Sequence, residues 1–143
     1  MIGVGQEFPY FVKNGVDYVN AMCEVAYDDF NGWKVYYFYP KDFTFICPTE
    51  IKGMDMLTSE ATVVGFSGDN EFCKLAWKES NELIKHIQHT LACDSGLELS
   101  KTLGIYDKLN GVCYRATYIV DPDGIIAHMS VNRDDTGRNA SEI

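Results

Sequence analysis

Phe38-Tyr39-Pro40-Lys41-Asp42-Phe43-Thr44-Phe45-Ile46-Cys47-Pro48-Thr49-Glu50 changes character half-way along. Leading into it, Val35-Tyr36-Tyr37-Phe38-Tyr39 is a run of branched and aromatic residues, the composition of a β-strand. Pro40 ends that run, because proline has no N–H to give to a sheet ladder. After a short loop, Cys47-Pro48-Thr49-Glu50 reads as the opening of a helix. Proline suits a first helical turn, where its missing N–H costs nothing. Glu50 adds a carboxylate to that turn, which the helix dipole favours. The expected helix covers Pro48 to about Ser59, with Cys47 at its N-terminus among unpaired backbone N–H groups. Such a place favours thiolate over thiol, and the thiolate is the nucleophile. Thr44 lies three positions earlier, where its hydroxyl can turn toward the sulfur or toward a bound oxygen. Taken alone, a cysteine here is more often a buried structural thiol.

Working outward, Lys34 to Tyr39 is almost continuously apolar, as in a strand covered on both faces. Ala61 to Ser67 is a second strand of this kind, closed by Gly68-Asp69-Asn70. A helix is expected from Asp69 or Asn70, with Phe72, Leu75 and Ala76 as its apolar stripe. Leu83, Ile84 and Ile87 form a short apolar cluster that ends this region against the sheet. Leu97 to Leu103 reads as a short helix stopped by Gly104. Arg115 to Val120 and Ile125 to Val131 flank the turn signal Asp121-Pro122-Asp123-Gly124, a hairpin. Upstream, Gln6 to Phe11 is extended, a turn is expected at Asn14-Gly15, and Tyr27 to Trp33 turns into the first central strand. This order, strand–helix–strand–helix–hairpin, gives an α/β class with a mixed sheet between helices.

The chain has 143 residues and 46% apolar content, enough for one domain with a real core. Its net charge of −9 argues against nucleic acid or an anionic membrane as the main partner. There is no basic segment followed by a long apolar stretch at the N-terminus, and no run long enough to cross a bilayer. Five cysteines, Cys23, Cys47, Cys73, Cys93 and Cys113, are scattered without a C-x-x-C pair. That is not a disulfide scaffold, and a cytoplasmic, reducing location is expected. His86, His89 and Cys93 have a spacing open to a metal, but no fourth ligand is evident. No metal or cofactor is expected, and both histidines read as exposed on a helix. Cys73, Cys93 and Cys113 read as buried, unreactive thiols.

Pro40-x-x-x-Thr44-x-x-Cys47 resembles the active-site pattern of the peroxiredoxin family. Asp42-Phe43-Thr44-Phe45 and Cys47-Pro48-Thr49-Glu50 are similar to the branch holding the C component of alkyl hydroperoxide reductase and the typical two-cysteine enzymes. Phe72 to Trp77 resembles the family's Phe-x-x-x-Ala-Trp helix. Tyr114 to Gly124 resembles its arginine strand and turn, and Gly137-Arg138-Asn139-Ala140-Ser141 its Gly-Arg-x-x-Ser segment. The resemblance covers most of the chain and implies a single thioredoxin-like domain over residues 1–143. Two departures stand out. The Gly-Gly-Leu-Gly motif of many eukaryotic members is absent from Ser80 to Asp94. The Val-Cys-Pro motif that carries the family's resolving cysteine does not occur up to Ile143, so that cysteine is expected outside this chain.

The resemblance implies an activity and a site. Cys47 would reduce hydrogen peroxide or an organic hydroperoxide and pass through sulfenic acid. Arg115 would supply a fixed cation, a planar fork of donors that stays charged. Thr44 would hydrogen-bond the thiolate or peroxide, or cap the following helix. Pro40 would shield the sulfur, Glu50 would orient an arginine or complement the helix dipole, and Arg138 is a second supporting cation. Implied partners are a peroxide, a dithiol reductant (thioredoxin-like or a flavoprotein reductase) and a second copy of the chain, in a homodimer or a decameric ring of dimers. The other reading is a redox sensor or chaperone-like module on the same fold that uses Cys47 to receive oxidising equivalents.

Overall fold

The computed structural model describes residues 1–43 and 46–132, with Ile46 and Cys47 described by backbone alone. In chain order the elements are β1 (Val12–Val16), β2 (Met22–Ala26), β3 (Lys34–Phe38), α1 (Ile46–Met54), β4 (Thr62–Ser67), α2 (Glu71–Ser80) and β5 (Thr90–Cys93). There follow α3 (Glu98–Leu103), β6 (Tyr106–Asp107), β7 (Val112–Cys113), β8 (Arg115–Val120) and β9 (Ile126–Asn132). Seven strands form one mixed sheet in the order β2-β1-β5-β4-β3-β8-β9, and β6-β7 is a separate small ribbon.

Alternation along β3 divides the core in two. Tyr36 and Phe38 enter one apolar cluster with Phe8, Phe11, Phe66 and Tyr118. Val35 and Tyr37, with Tyr39 just beyond, enter the other with Ile51 and Met54 of α1 and Trp77 of α2. Both faces are covered, as the continuous apolar run requires. β3, β4 and β5 run parallel, so their C-terminal ends emerge on one edge of the sheet. β8 runs antiparallel to β3 and pairs Ala116 with Phe38. Arg115 therefore begins beside the point where the chain leaves β3 for α1.

Several local expectations change. α1 starts at Ile46 and ends at Met54, and a 3-10 helix, Asp55–Ser59, completes the span expected to be one helix. Asn14-Gly15 lies inside β1. A Cβ at Gly15 would come within 2.6 Å of the Leu91 carbonyl oxygen, so the glycine serves close strand approach instead of a turn. The turn falls at residues 17–21, where Asp17 Oδ1 accepts from the Val19 and Ala21 amides. Thr90–Cys93 is a central strand without a clear signature in the sequence; it is only four residues long. In the cluster before it, Ile84 and Ile87 are buried but Leu83 is exposed.

The largest change is in α2. Asn70 caps it by accepting from the Cys73 amide, as an N-cap asparagine should. Its buried face is Lys74, Trp77 and Lys78, while Phe72 and Ala76 are exposed and Leu75 is half-buried. The expected apolar stripe is thus turned outward. Lys74 is accommodated by a polar group waiting beneath it, and the Lys78 ammonium reaches the Asp17 carbonyl at 2.9 Å. Among the described residues, no helix is long and apolar enough to cross a membrane.

Candidate active site

The edge where β3, β4 and β5 end is where a parallel sheet offers its crevice. α1 begins there, and Cys47 occupies its first turn. Pro48 and Glu50 are buried and Thr49 is exposed, so the helix turns its Glu50 side inward. Pro40 is buried at the mouth of β3. Thr44 and Arg138 lie outside the described residues, as does the Cys47 side chain.

Arg115 is 4% exposed, not a surface residue, and its Nη1 donates to Glu50 Oε1 in a buried ion pair. The pair joins the first residue of β8 to α1 just past its first turn, not within it as expected. A guanidinium is the side chain best suited to such a buried, directional contact, since it keeps its charge and presents several donors in one plane. Of the residues singled out from the sequence, the structure brings together Pro40, Glu50, Arg115 and the backbone of Cys47 on one edge of the sheet.

A second polar group lies on the same edge, and nothing in the sequence pattern singles it out. The Lys74 ammonium is fully buried. It donates to Tyr39 Oη at 3.1 Å, to Asp42 Oδ1 at 3.4 Å and to Ser67 Oγ. Tyr39 Oη also donates to Asp42 Oδ1 at 2.7 Å, and the Asp42 amide donates to Asp69 Oδ2 at 2.6 Å. Burial pushes the Asp42 carboxyl up, against the pull of Lys74 and the Tyr39 hydroxyl, which favour its charged form. A buried lysine breaks the apolar periodicity on which helix reading rests, so no pattern points to it. Asp42 stands inside the stretch that opens the sequence analysis, but a loop aspartate gives no sign of a partner 32 residues away.

A third group joins Asp55, His89 and Tyr37. His89 is buried and lies on no helix, contrary to expectation; His86 is exposed, also off any helix. His89 Nδ1 meets Asp55 Oδ1 at 2.8 Å and Nε2 meets Tyr37 Oη at 2.6 Å. Burial pushes the imidazole pKa down, with Asp55 opposing. The neutral ring fits both contacts: Nδ1–H donates to the carboxylate and Nε2 accepts from the phenol. Both ring nitrogens are engaged inside the protein, which leaves His89 no lone pair for a metal. Asp42, Asp69 and Cys73 bring ligand atoms within 4.8 Å of one another, but the Lys74 ammonium already sits on Asp42.

The remaining thiols are held in unreactive settings. Cys113 is buried, with its Sγ donating to the Tyr39 carbonyl at 3.1 Å. Burial pushes the Cys93 thiol up to about 12. Cys73 is half-buried, not buried as expected, and burial with Asp42 and Asp69 nearby also raises it. Cys23 is raised by burial and by Asp17.

Residues 4–129 match the model of the AhpC/TSA family. The chain belongs to this family. Among relatives of the AhpC/TSA type, alkyl hydroperoxide reductase C of Mycolicibacterium smegmatis is 33% identical over 160 aligned positions, covering 100% of this chain and 82% of that protein. The mouse protein named thioredoxin-dependent peroxide reductase, mitochondrial, is 37% identical over 149 positions, covering 97% of this chain and 57% of its own length. The crystal structure of Enterococcus faecalis AhpC superposes with a TM-score of 0.92 at 30% identity, covering 99% of this chain and 88% of that one. The reduced Plasmodium vivax 2-Cys peroxiredoxin gives 0.91 at 32% identity, covering 99% and 78%. The mixed sheet with flanking helices is thus the thioredoxin-like fold of the AhpC/TSA enzymes.

Proposed function

We infer that this AhpC/TSA member is a thiol-dependent peroxidase whose peroxidatic thiolate is Cys47. The observation that carries the site assignment is the buried Arg115–Glu50 ion pair, which anchors a permanent cation to the helix whose first turn holds Cys47. The thiolate attacks the terminal oxygen of a hydroperoxide. An S–O bond forms, the O–O bond breaks, and the other oxygen leaves as alkoxide or hydroxide, which takes a proton from water. Negative charge spreads from sulfur to the leaving oxygen, and fixed donors at that point lower the barrier. Arg115 and Thr44 are the proposed donors. Pro40 shields the sulfur from water, and Glu50 holds the guanidinium in place; Arg138 is kept as a supporting cation.

The product is a Cys47 sulfenic acid. A thiol from a partner condenses with it, forming a disulfide and releasing water. A dithiol protein, thioredoxin-like or a flavoprotein reductase, then restores the thiolate by exchange. The resolving thiol is left unassigned: Cys93 and Cys113 are buried and engaged, and the half-buried Cys23 and Cys73 have their thiols raised by burial and nearby carboxylates. We further propose a cytoplasmic location and a homodimer, in a ring of dimers where these assemble. The test is peroxide consumption by purified protein with excess dithiothreitol. Cys47-dependent turnover of hydrogen peroxide or cumene hydroperoxide supports the reading; consumption no faster than dithiothreitol alone overturns it.

A further inference from the structure

Residues between Asp42 and Glu50 are bracketed by two buried ion pairs. Glu50 is tied to Arg115 of β8, and Asp42 to Lys74 of α2. The second tie is the more elaborate. It gathers the end of β3 (Tyr39), the end of β4 (Ser67), the loop (Asp42) and α2 (Lys74) around a single ammonium with no solvent access. An ammonium costs heavily to bury and is kept only where oxygens surround it. Here those oxygens belong to three separate segments, so the ammonium fixes them relative to one another. The loop is also held from its backbone, by the Asp42 amide on Asp69. Phe43 then takes a left-handed conformation at φ 58, which suits few non-glycine residues, and its ring lies 5.9 Å from that of Trp77. The uncommon conformation of Phe43 thus directly follows the tie at Asp42.

We propose that Lys74 and Asp42 are positioning residues for the peroxide step. Their ion pair, buttressed by Tyr39 and Ser67, fixes Asp42 and Phe43, where the chain leaves β3 on its way to the helix that carries Cys47. The proposal rests on the peroxidase reading above and adds residues that touch neither peroxide nor sulfur. It also assigns a division of labour. Arg115 stabilises charge, whereas the Lys74–Asp42 pair holds the start of the segment that carries Thr44 and Cys47.

The test compares two electrophiles on the fully formed thiolate. Peroxide needs the assembled donors; iodoacetamide needs only an accessible thiolate. Lys74→Met and Asp42→Asn, measured at high pH in protein whose near-ultraviolet circular dichroism matches the parent, should each slow the peroxide step by about tenfold or more, a barrier increment of about 1.4 kcal/mol. Alkylation by iodoacetamide should remain within about twofold. The pair variant Lys74→Gln with Asp42→Asn replaces the ion pair by a neutral hydrogen-bonded pair and should recover most of the loss, because the effects of coupled residues do not add. Ser67→Ala removes one oxygen and no charge, so it spares the fold. It should slow the peroxide step by a few-fold in the same direction.

Parental peroxide rates in folded single variants overturn the proposal. So does strict additivity in the pair variant, an equal loss toward both electrophiles, or an unchanged rate in Ser67→Ala. A parent that shows no Cys47-dependent peroxide consumption refutes the peroxidase reading itself. That result is distinct from an active parent with indifferent Lys74, Asp42 and Ser67 variants.

Discussion

Glu50 and Arg115 stand 65 positions apart in the sequence and meet as a buried ion pair. They meet because β8 returns antiparallel to β3, which puts its first residue beside the exit from β3 into α1. The helix that presents Cys47 is thereby pinned to a strand of the central sheet.

Arg115→Ala removes a charge-assisted donor, worth roughly 1.5–3 kcal/mol. Each ~1.4 kcal/mol is about tenfold in rate. The peroxide step should therefore slow on the order of ten- to a hundredfold at high pH, where the thiolate is fully formed. At neutral pH the loss should be larger, since less thiolate is present without the cation. Arg115→Lys should recover little, because a point charge cannot reproduce the fork. Stopped-flow fluorescence of Trp77 across pH follows the step, since that ring packs against Phe43 of the active loop. If Arg115→Ala reacts like the parent throughout, the cation is elsewhere, and Arg138 is the next to replace.

Cys47→Ser should abolish peroxide consumption and leave the far-ultraviolet spectrum unchanged. The replacement is nearly isosteric, but a neutral hydroxyl is a far poorer nucleophile than a thiolate. Cys93→Ala and Cys113→Ala should leave the first oxidation within about twofold of the parent rate, the scale of a few tenths of a kcal/mol. Retained turnover in Cys47→Ser with excess dithiothreitol would move the chemistry to another cysteine.

How far the sequence can be read depends on whether the signal is local. The run through β3, the Pro40 stop and the helix opening at Cys47 are set by neighbours along the chain, and they lie close to where they are expected. Asn14-Gly15 misleads because a turn signature and a close-packed strand glycine look alike; only Leu91, 76 positions on in numbering, separates them. The α2 face misleads for a sharper reason. Apolar periodicity assumes that lysines face water, and Lys74 and Lys78 do not, because Asp42, Tyr39, Ser67 and the Asp17 carbonyl arrive from distant segments. His89 is a similar case, its partners Asp55 and Tyr37 coming from other elements.

Gly15→Ala should destabilise the fold by about 1–3 kcal/mol, the usual cost of forcing atoms into a packed site. The added methyl would meet the Leu91 carbonyl oxygen at 2.6 Å and Ala92 Cα at 3.1 Å, both backbone atoms with little room to yield. β1 and β5 would have to part where they pair Gly15 with Ala92. A lower urea midpoint with an unchanged slope is the expected result. A parental midpoint would mean that β1 is held only loosely to the sheet.

Stability should fall on mild acidification, and His89 should be the main reason. In the unfolded chain an imidazole titrates near its ordinary 6.5, while burial in the fold holds His89 lower. As pH drops through 6.5, the unfolded chain takes up a proton that the folded one refuses, so unfolding gains. The decline ends once pH passes below the folded value, where both states hold the proton. Asp55 opens a second window further down. Burial acts to raise it, but the hydrogen bonds from His89 and the Gln88 amide prevail and hold it below the ordinary 3.8. Its contribution is therefore complete above 3.8 and is lost as pH falls through its folded value. His89→Gln should cost about 1–3 kcal/mol near neutrality, because Tyr37 and Asp55 lose a well-placed partner. It should also flatten the stability curve between about pH 7 and pH 5, the range in which an imidazole titrates. Urea unfolding of parent and variant at a series of pH values reads both effects. A parent curve that is flat over that range, or a variant with the parent's slope, would show that the acid sensitivity does not come from His89.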